Sequence, residues 1–178
     1  MERKKLSMEQ LNRISVEQYK SSEKTPIVLI LDNIRSMSNI GSMFRTADAF
    51  RLEGLYLCGI TATPPHREIN KTALGATESV SWQYCTSTID CVKDLKAKGY
   101  QMIALEQTQN SIMLQDFKVE QTPIALILGN EVEGVNQEAI DLSDNVIEIP
   151  QIGTKHSFNV SVSCGITLWE IFKQIKNL

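Results

Sequence analysis

Three short segments, far apart in the chain, hold most of the residues a ligand would need. The first, SMSNIGSMFRTADAF, carries Asn39, Gly41 and Arg45. The second, IALILGNEVEGVNQEAI, carries Gly129, Glu131 and Gly134. The third, VIEIPQIGTKHSFNVSVSCGITLWEIF, carries Ser157, Phe158 and Asn159. All are rich in Gly, Asn and Ser, the composition of loops that bring backbone groups close to a ligand. Two common phosphate-binding devices are missing. The second segment lacks the Gly-Lys-Ser/Thr ending of a Walker loop, and no segment has the GxGxxG pattern.

Each segment also has a purely structural reading. In the first, Ile40, Met43, Phe44, Ala47 and Phe50 form one apolar helical stripe. Arg45 lies about 140° from Ile40 at 100° per residue, so it would face solvent on a helix capped by Ser38 or Asn39. Gly41 fits that picture poorly, because glycine in a first helical turn costs up to ~1 kcal/mol relative to alanine. A backbone that must approach a ligand or a partner would account for it. In the second, Glu131 can simply complement the start of a helix capped by Asn136. In the third, Ser157 or Asn159 can be no more than an N-cap. His66, in the proline-rich TATPPHRE, reads as incidental.

The elements that position these segments follow from hydrophobic patterning. PIVLILDN from Pro26, Leu55–Ile60, Tyr100–Leu105, Ile124–Leu128 and Val146–Ile149 are continuous apolar runs of strand length. Such runs belong to strands covered on both faces, as in parallel sheets. SVSWQY, near Ser79–Tyr84, is a weaker strand. Helical patterns occupy Ser38–Phe50, Thr88–Lys98, Asn136–Leu142 and Asn159–Lys176. The alternation predicts an α/β fold with a mostly parallel sheet and helices on both faces. The three segments follow strands, where open sheets of this class bind ligands. The last helix carries two apolar stripes: Val160, Cys164, Leu168, Ile171 and Ile175, and, nearly opposite, Val162, Ile166 and Trp169. A helix apolar on two faces is buried on two faces, so a homodimer is expected.

Bulk properties narrow the function. The 178 residues make one domain, expected over 26–178 behind a polar, helix-compatible N-terminal arm over 1–25. With 18 basic and 21 acidic residues the chain does not coat nucleic acid by charge alone, although basic residues cluster in that arm. No run approaches the roughly 20 apolar residues of a membrane span, and no signal peptide is evident, so a cytoplasmic location is expected. Cys58, Cys85, Cys91 and Cys164 show no CxxC spacing and no histidine neighbour. They read as small buried hydrophobes, and no metal site is expected.

Taken together, the three segments resemble the motifs of the SpoU (TrmH-type) methyltransferases of the SPOUT superfamily. NIGSMFRTADAF is similar to the first motif, LILGNEVEG to the second and IEIPQIGTKHSFNVSVSCGITLWE to the third, in order, from about Pro26 to the C-terminus. The resemblance implies a C-terminal trefoil knot, a homodimer with active sites at the subunit interface, and S-adenosylmethionine as cofactor. It implies Gly129, Ile149 and Phe158, with Leu105 adjacent, as cofactor-binding residues. Phe158 stands where many relatives have leucine. The implied catalytic set is Arg45, Asn39, Glu131, Ser157 and Asn159. The implied reaction is methyl transfer to an RNA ribose 2′-hydroxyl, of tRNA or alternatively rRNA. The alternatives of another class are a non-catalytic RNA-binding protein on the same fold and a dehydrogenase-like nucleotide-binding domain.

In that reaction Arg45 is expected to act as a fixed cation that steadies ribose, phosphate or developing oxyanion charge, because a guanidinium does not give up its proton in proteins. Glu131 would hold Arg45 or the loop, Ser157 and Asn159 would place ribose and cofactor edges, and Asn39 would fix the loop or the interface.

Overall fold

A computed structural model describes residues 3–7 and 9–178. Seven strands form one sheet: β1 (Thr25–Asp32), β2 (Leu52–Cys58), β3 (Trp82–Cys85), β4 (Gln101–Leu105), β5 (Ile112–Met113), β6 (Ile124–Leu128) and β7 (Asn145–Glu148). Their order is β3-β2-β1-β6-β4-β7-β5, and every pairing is parallel. All strands run the same way, but the order in which successive strands are added to the sheet switches between β1 and β6, which is where an open α/β sheet leaves a crevice.

The helices are α1 (Val16–Ser21), α2 (Met37–Ala49), α3 (Arg67–Ala73), α4 (Ala76–Ser79), α5 (Thr88–Ala97), α6 (Gln137–Leu142) and α7 (Val160–Lys176). They divide between the two faces as the uninterrupted apolar strands require. On one face Ile27, Leu29 and Leu31 pack with Ile40, Met43 and Phe44 of α2 and Cys164, Leu168 and Ile171 of α7. On the other, Val28 and Ile30 pack with Val92 and Leu95 of α5 and Ala139 of α6. Among the described residues no helix is long and apolar enough to cross a membrane.

Several expectations change in detail. The second strand begins at Leu52, not Leu55, because Leu52 is buried and Gly54 lets the strand run against the Ser81 carbonyl. The two-residue β5 and the short α3 and α4 are too brief to leave a period in the sequence. Within the expected arm, a three-residue 3-10 turn spans Glu9–Leu11 and α1 brings Tyr19 into the core, while Met1, Glu2 and Met8 lie outside the described residues. Helix α2 is capped by Ser36, whose Oγ accepts from the Asn39 N–H at 3.3 Å, rather than by Ser38 or Asn39. Gly41 is explained by α3: a Cβ there would fall inside the Thr72 hydroxyl and the Ile69 carbonyl. The close partner is a helix backbone and not a ligand.

The cysteines depart most from expectation. Cys164 is buried alone under α7, but the Sγ atoms of Cys58, Cys85 and Cys91 lie within 4.8 Å of one another. Sequence spacing cannot reveal this group, because two members end neighbouring strands and the third sits on α5.

Candidate active site

The carboxyl ends of β6, β4 and β7 are side by side, and their loops enclose a cavity of about 760 Å³. Leu105 and Glu106 enter it from the end of β4, and Gly129 to Val135 from the loop after β6. Ile149 enters after β7, and Ser157, Phe158 and Asn159 from the run into α7. The four residues expected to bind cofactor (Leu105, Gly129, Ile149 and Phe158) therefore share one wall system with Glu131, Ser157 and Asn159. Phe158 is 42% exposed in the mouth of this cavity.

The loop after β6 is shaped by its own backbone. Asn130 and Gly134 exchange N–H···O bonds of 3.0 and 2.9 Å, and the Asn130 carbonyl of the side chain accepts from Val132 N at 2.8 Å. Gly134 has φ of +74°, a left-handed conformation that a residue with a side chain adopts reluctantly. A Cβ on Gly129 would run into the backbone of Gly134 and Val135. These glycines are needed to fold the loop tightly enough that its backbone lines the cavity.

Behind the loop stands a chain of hydrogen bonds linking all three segments. The Glu131 carboxylate accepts from the N–H groups of Arg35 (2.9 Å) and Ser36 (3.0 Å) and from Asn39 Nδ2 (2.9 Å). The Asn39 Oδ1 in turn accepts from Asn159 Nδ2 at 3.1 Å. Asn159 also caps α7, with its Oδ1 accepting from Ser161 N at 3.0 Å. Burial by itself raises the Glu131 carboxyl, but the Arg35 N–H, the Asn39 amide and further N–H groups outweigh it and hold the carboxyl below its ordinary value. Glu131 thus remains an anion whose two oxygens are committed to bracing the start of α2. Of its two expected roles, holding Arg45 or holding the loop, the geometry gives the second.

Arg45 is the residue that this chain does not bring to the cavity. It is exposed on α2 and lines a separate open depression of about 630 Å³ with Ser42, Phe50, Thr72 and Gly165. That depression borders the outer stripe of α7, where Val162, Ile166 and Trp169 are 49%, 38% and 51% exposed. Phe50, Trp169 and Phe172 form an aromatic group there, with Phe50 and Phe172 centroids 4.9 Å apart. Asn39 does not line the cavity either. It is 8% exposed and acts as the link between Glu131 and Asn159.

Sequence reasoning missed two carboxylates. Glu106 lines the cavity and accepts from Val135 N (2.9 Å) and Gln107 N (2.8 Å), tying β4 to the loop after β6. Asp32, 1% exposed at the end of β1, accepts from Asn136 N (2.8 Å), Asn33 Nδ2 (2.9 Å) and Thr88 Oγ1 (2.5 Å). The only signal for either was an acid directly at the end of an apolar strand, a pattern more often met at solvated turns. His66 caps α3, its Nδ1 accepting from Glu68 N at 3.2 Å.

The ionisable lining is one-sided. Glu106, Glu131, Glu133 and Glu148 face the cavity with His156, and among the described lining residues there is no lysine or arginine. Such walls favour a cationic guest and disfavour a phosphate-rich one.

Residues 26–169 match the SpoU rRNA Methylase family. The chain is 28% identical over 166 residues to the 23S rRNA (guanosine-2′-O-)-methyltransferase RlmB of Vibrio parahaemolyticus, covering 93% of this chain and 66% of that one. The chain spans between 60% and 66% of the length of curated relatives that it matches. An AdoMet-bound rRNA methyltransferase from Sinorhizobium meliloti superposes with a TM-score of 0.78 at 27% identity, over 85% of this chain and 57% of that one. The TrmH/SpoU tRNA modifying enzyme of A. aeolicus gives 0.79 at 25% identity, over 91% and 81%.

Proposed function

Since the chain belongs to the SpoU rRNA Methylase family, we propose that it is an RNA methyltransferase that uses S-adenosylmethionine to methylate a ribose 2′-hydroxyl. The observation that carries this reading is the convergence of Leu105, Gly129, Glu131, Ile149, Ser157, Phe158 and Asn159 on one cavity whose ionisable lining is acidic. S-adenosylmethionine has a net positive charge near neutral pH and a permanent sulfonium centre, so it suits such walls, whereas a dinucleotide would meet four carboxylates. The dehydrogenase-like alternative fails on the same ground.

When bound, S-adenosylmethionine supplies the electrophilic methyl group. The protein's part is placement and exclusion of water. The backbone at Gly129 and the side chains of Leu105, Ile149 and Phe158 form the holding surface, with Ser157 at the rim. Glu131, Asn39 and Asn159 keep the three loops in register. Glu131 is not the proton acceptor, because N–H donors already engage both its oxygens. Arg45 is the cation that steadies the ribose or its phosphate and offsets oxyanion charge as the bond forms.

The working unit in this proposal is a homodimer joined through the outer face of α7, so that Arg45 of the partner subunit faces the cavity. Support comes from Arg45's position beside the exposed Val162–Ile166–Trp169 stripe and outside its own chain's cavity. We also infer the trefoil knot. Support comes from β7 lying between β4 and β5 in the sheet, with the β4–β5 connection and the segment leaving β7 in contact where Gln107 Nε2 donates to the His156 carbonyl at 2.9 Å. The residues ahead of Pro26 form a leading arm that assists RNA binding. Enzymes similar to this chain are named for both tRNA and rRNA, and tRNA is the first candidate because the match extends over 81% of the A. aeolicus tRNA modifying enzyme, against 57% and 66% of the two rRNA enzymes. A cytoplasmic location belongs to the same proposal.

Incubation with methyl-labelled S-adenosylmethionine and separated tRNA and rRNA, followed by nucleoside analysis, tests the proposal. A 2′-O-methylnucleoside in one fraction is the expected product. Cofactor binding without transfer to any RNA would instead favour the non-catalytic RNA-binding protein.

A further inference from the structure

We propose that Cys58, Cys85 and Cys91 form a binding site for a single thiophilic divalent cation of the zinc–cadmium class, separate from the methyl-transfer cavity. The three Sγ atoms lie within 4.8 Å of one another. Sulfurs around a zinc ion with Zn–S of about 2.3 Å are about 3.8–4 Å apart, so closing on a cation requires each sulfur to move by well under an ångström. The fold holds the donors without help from a disulfide. Cys58 and Cys85 are paired at the ends of β2 and β3, and Cys91 descends onto them from the first turns of α5.

The surroundings pull negative sulfur in two directions, since the start of α5 favours it and the buried Asp32 carboxylate near Cys58 disfavours it. Cys91 sits four residues into a ten-residue helix capped by Ser87, where the positive end of the helix dipole favours negative sulfur. The site is closed on its inner side, with Cys58 0% and Cys91 4% exposed. It opens on the outer side, where half-buried Cys85 belongs to the edge strand. That opening admits the ion and leaves room for a water as fourth ligand, the usual completion of a three-ligand zinc site. A disulfide would use two of the sulfurs and leave the third unexplained. Binding a divalent cation uses all three, releasing three thiol protons and forming three metal–sulfur bonds with a net charge of −1. No oxidant is needed.

The test uses the intact, reduced protein without cofactor or RNA. Cadmium(II) is titrated in while the ultraviolet sulfur-to-metal band and proton release are followed, and zinc(II) is then used as competitor. The expected result is one cadmium per chain, displaced by zinc, with a raised melting temperature. Cys85→Ser, at the exposed edge where folding is least at risk, should weaken binding by more than the roughly 10–100-fold that follows loss of an outer-shell partner. Cys164→Ser, away from the group, should bind as the wild type does. Absence of the band at stoichiometric cadmium overturns the proposal, as does unchanged affinity in folded Cys85→Ser. So does a preparation in which mild oxidation pairs two of the three cysteines but cadmium protects none of them. Because the readout involves no methyl transfer, failure here leaves the proposed activity untouched, and the reverse also holds.

Discussion

The amide of Asn39 donates to the Glu131 carboxylate at 2.9 Å across 92 positions of sequence, and this bond fixes the helix after β1 to the loop after β6. Two backbone N–H groups converge on the same carboxylate. Glu131→Ala removes the acceptor for all three donors. We expect a loss of about 1–2 kcal/mol in urea unfolding, modest because water reaches this residue and replaces part of what is lost. Methyl transfer should fall by about 10–100-fold, since small misplacements of reacting groups are costly. Full activity in this variant would mean that the brace does not set the geometry of the site.

The same carboxyl gives a pH signature. Its folded value is held below the ordinary one, so its stabilising contribution is complete above the usual glutamate pKa of about 4.3 and disappears as pH falls through the lower folded value. The difference in melting temperature between wild type and Glu131→Gln should therefore be constant from about pH 6 to 8 and shrink below about pH 4. A difference that grows on acidification would contradict the direction of the shift.

Gly41→Ala tests why a glycine stands in the first turns of α2. The added methyl meets the Ile69 carbonyl and the Thr72 hydroxyl, and Thr72 is already bonded to the Ser38 carbonyl at 3.0 Å. Helix propensity alone would make the change stabilising. Overpacking predicts a loss of about 1–3 kcal/mol, read from chemical unfolding. The sign of the change decides between the two.

The parts of the fold that could be read from sequence were those with long patterns. Five of the seven strands are apolar runs because both sheet faces are covered, and β1 alternates its buried residues between the two cores. The strand-end rule located the three site loops, and the family resemblance supplied the roles. What stayed hidden depends on three-dimensional neighbours. Glu106 and Asp32 are recognisable as braces only once the N–H groups of Val135 and Asn136 are seen to face them. Cys58, Cys85 and Cys91 meet because β2, β3 and α5 are adjacent, which no spacing announces. Arg45 falls inside the first motif but outside the cavity, because α2 turns that side chain toward the outer stripe of α7.

That stripe should carry the dimer. Trp169→Glu replaces the indole that packs against Phe50 and Phe172 with a charge at one end of the exposed Val162–Ile166–Trp169 face. Sedimentation should show the dimer shifted to monomer. The fold should survive, as judged by circular dichroism, because the inner stripe of Cys164, Leu168 and Ile171 is untouched. An unchanged dimer would remove α7 from the interface.

Arg45 can be assigned to its own cavity or to its partner's by mixing inactive variants. Arg45→Ala should unfold like the wild type to within about 0.5 kcal/mol, since the side chain is exposed. It should still bind S-adenosylmethionine, yet transfer no methyl group, and Arg45→Lys should restore little because an ammonium does not reproduce a planar, two-pronged contact. Asn159→Ala damages the cavity wall instead. If Arg45 serves the partner, an Arg45→Ala/Asn159→Ala heterodimer has one site with both defects and one with none. Co-refolded in equal amounts, half the dimers are mixed, so about one quarter of wild-type activity should return under two-fold symmetry. If Arg45 serves its own chain, every site keeps one defect and the mixture stays inactive. Activity per site, measured by methyl incorporation against a count of bound cofactor, separates the two outcomes.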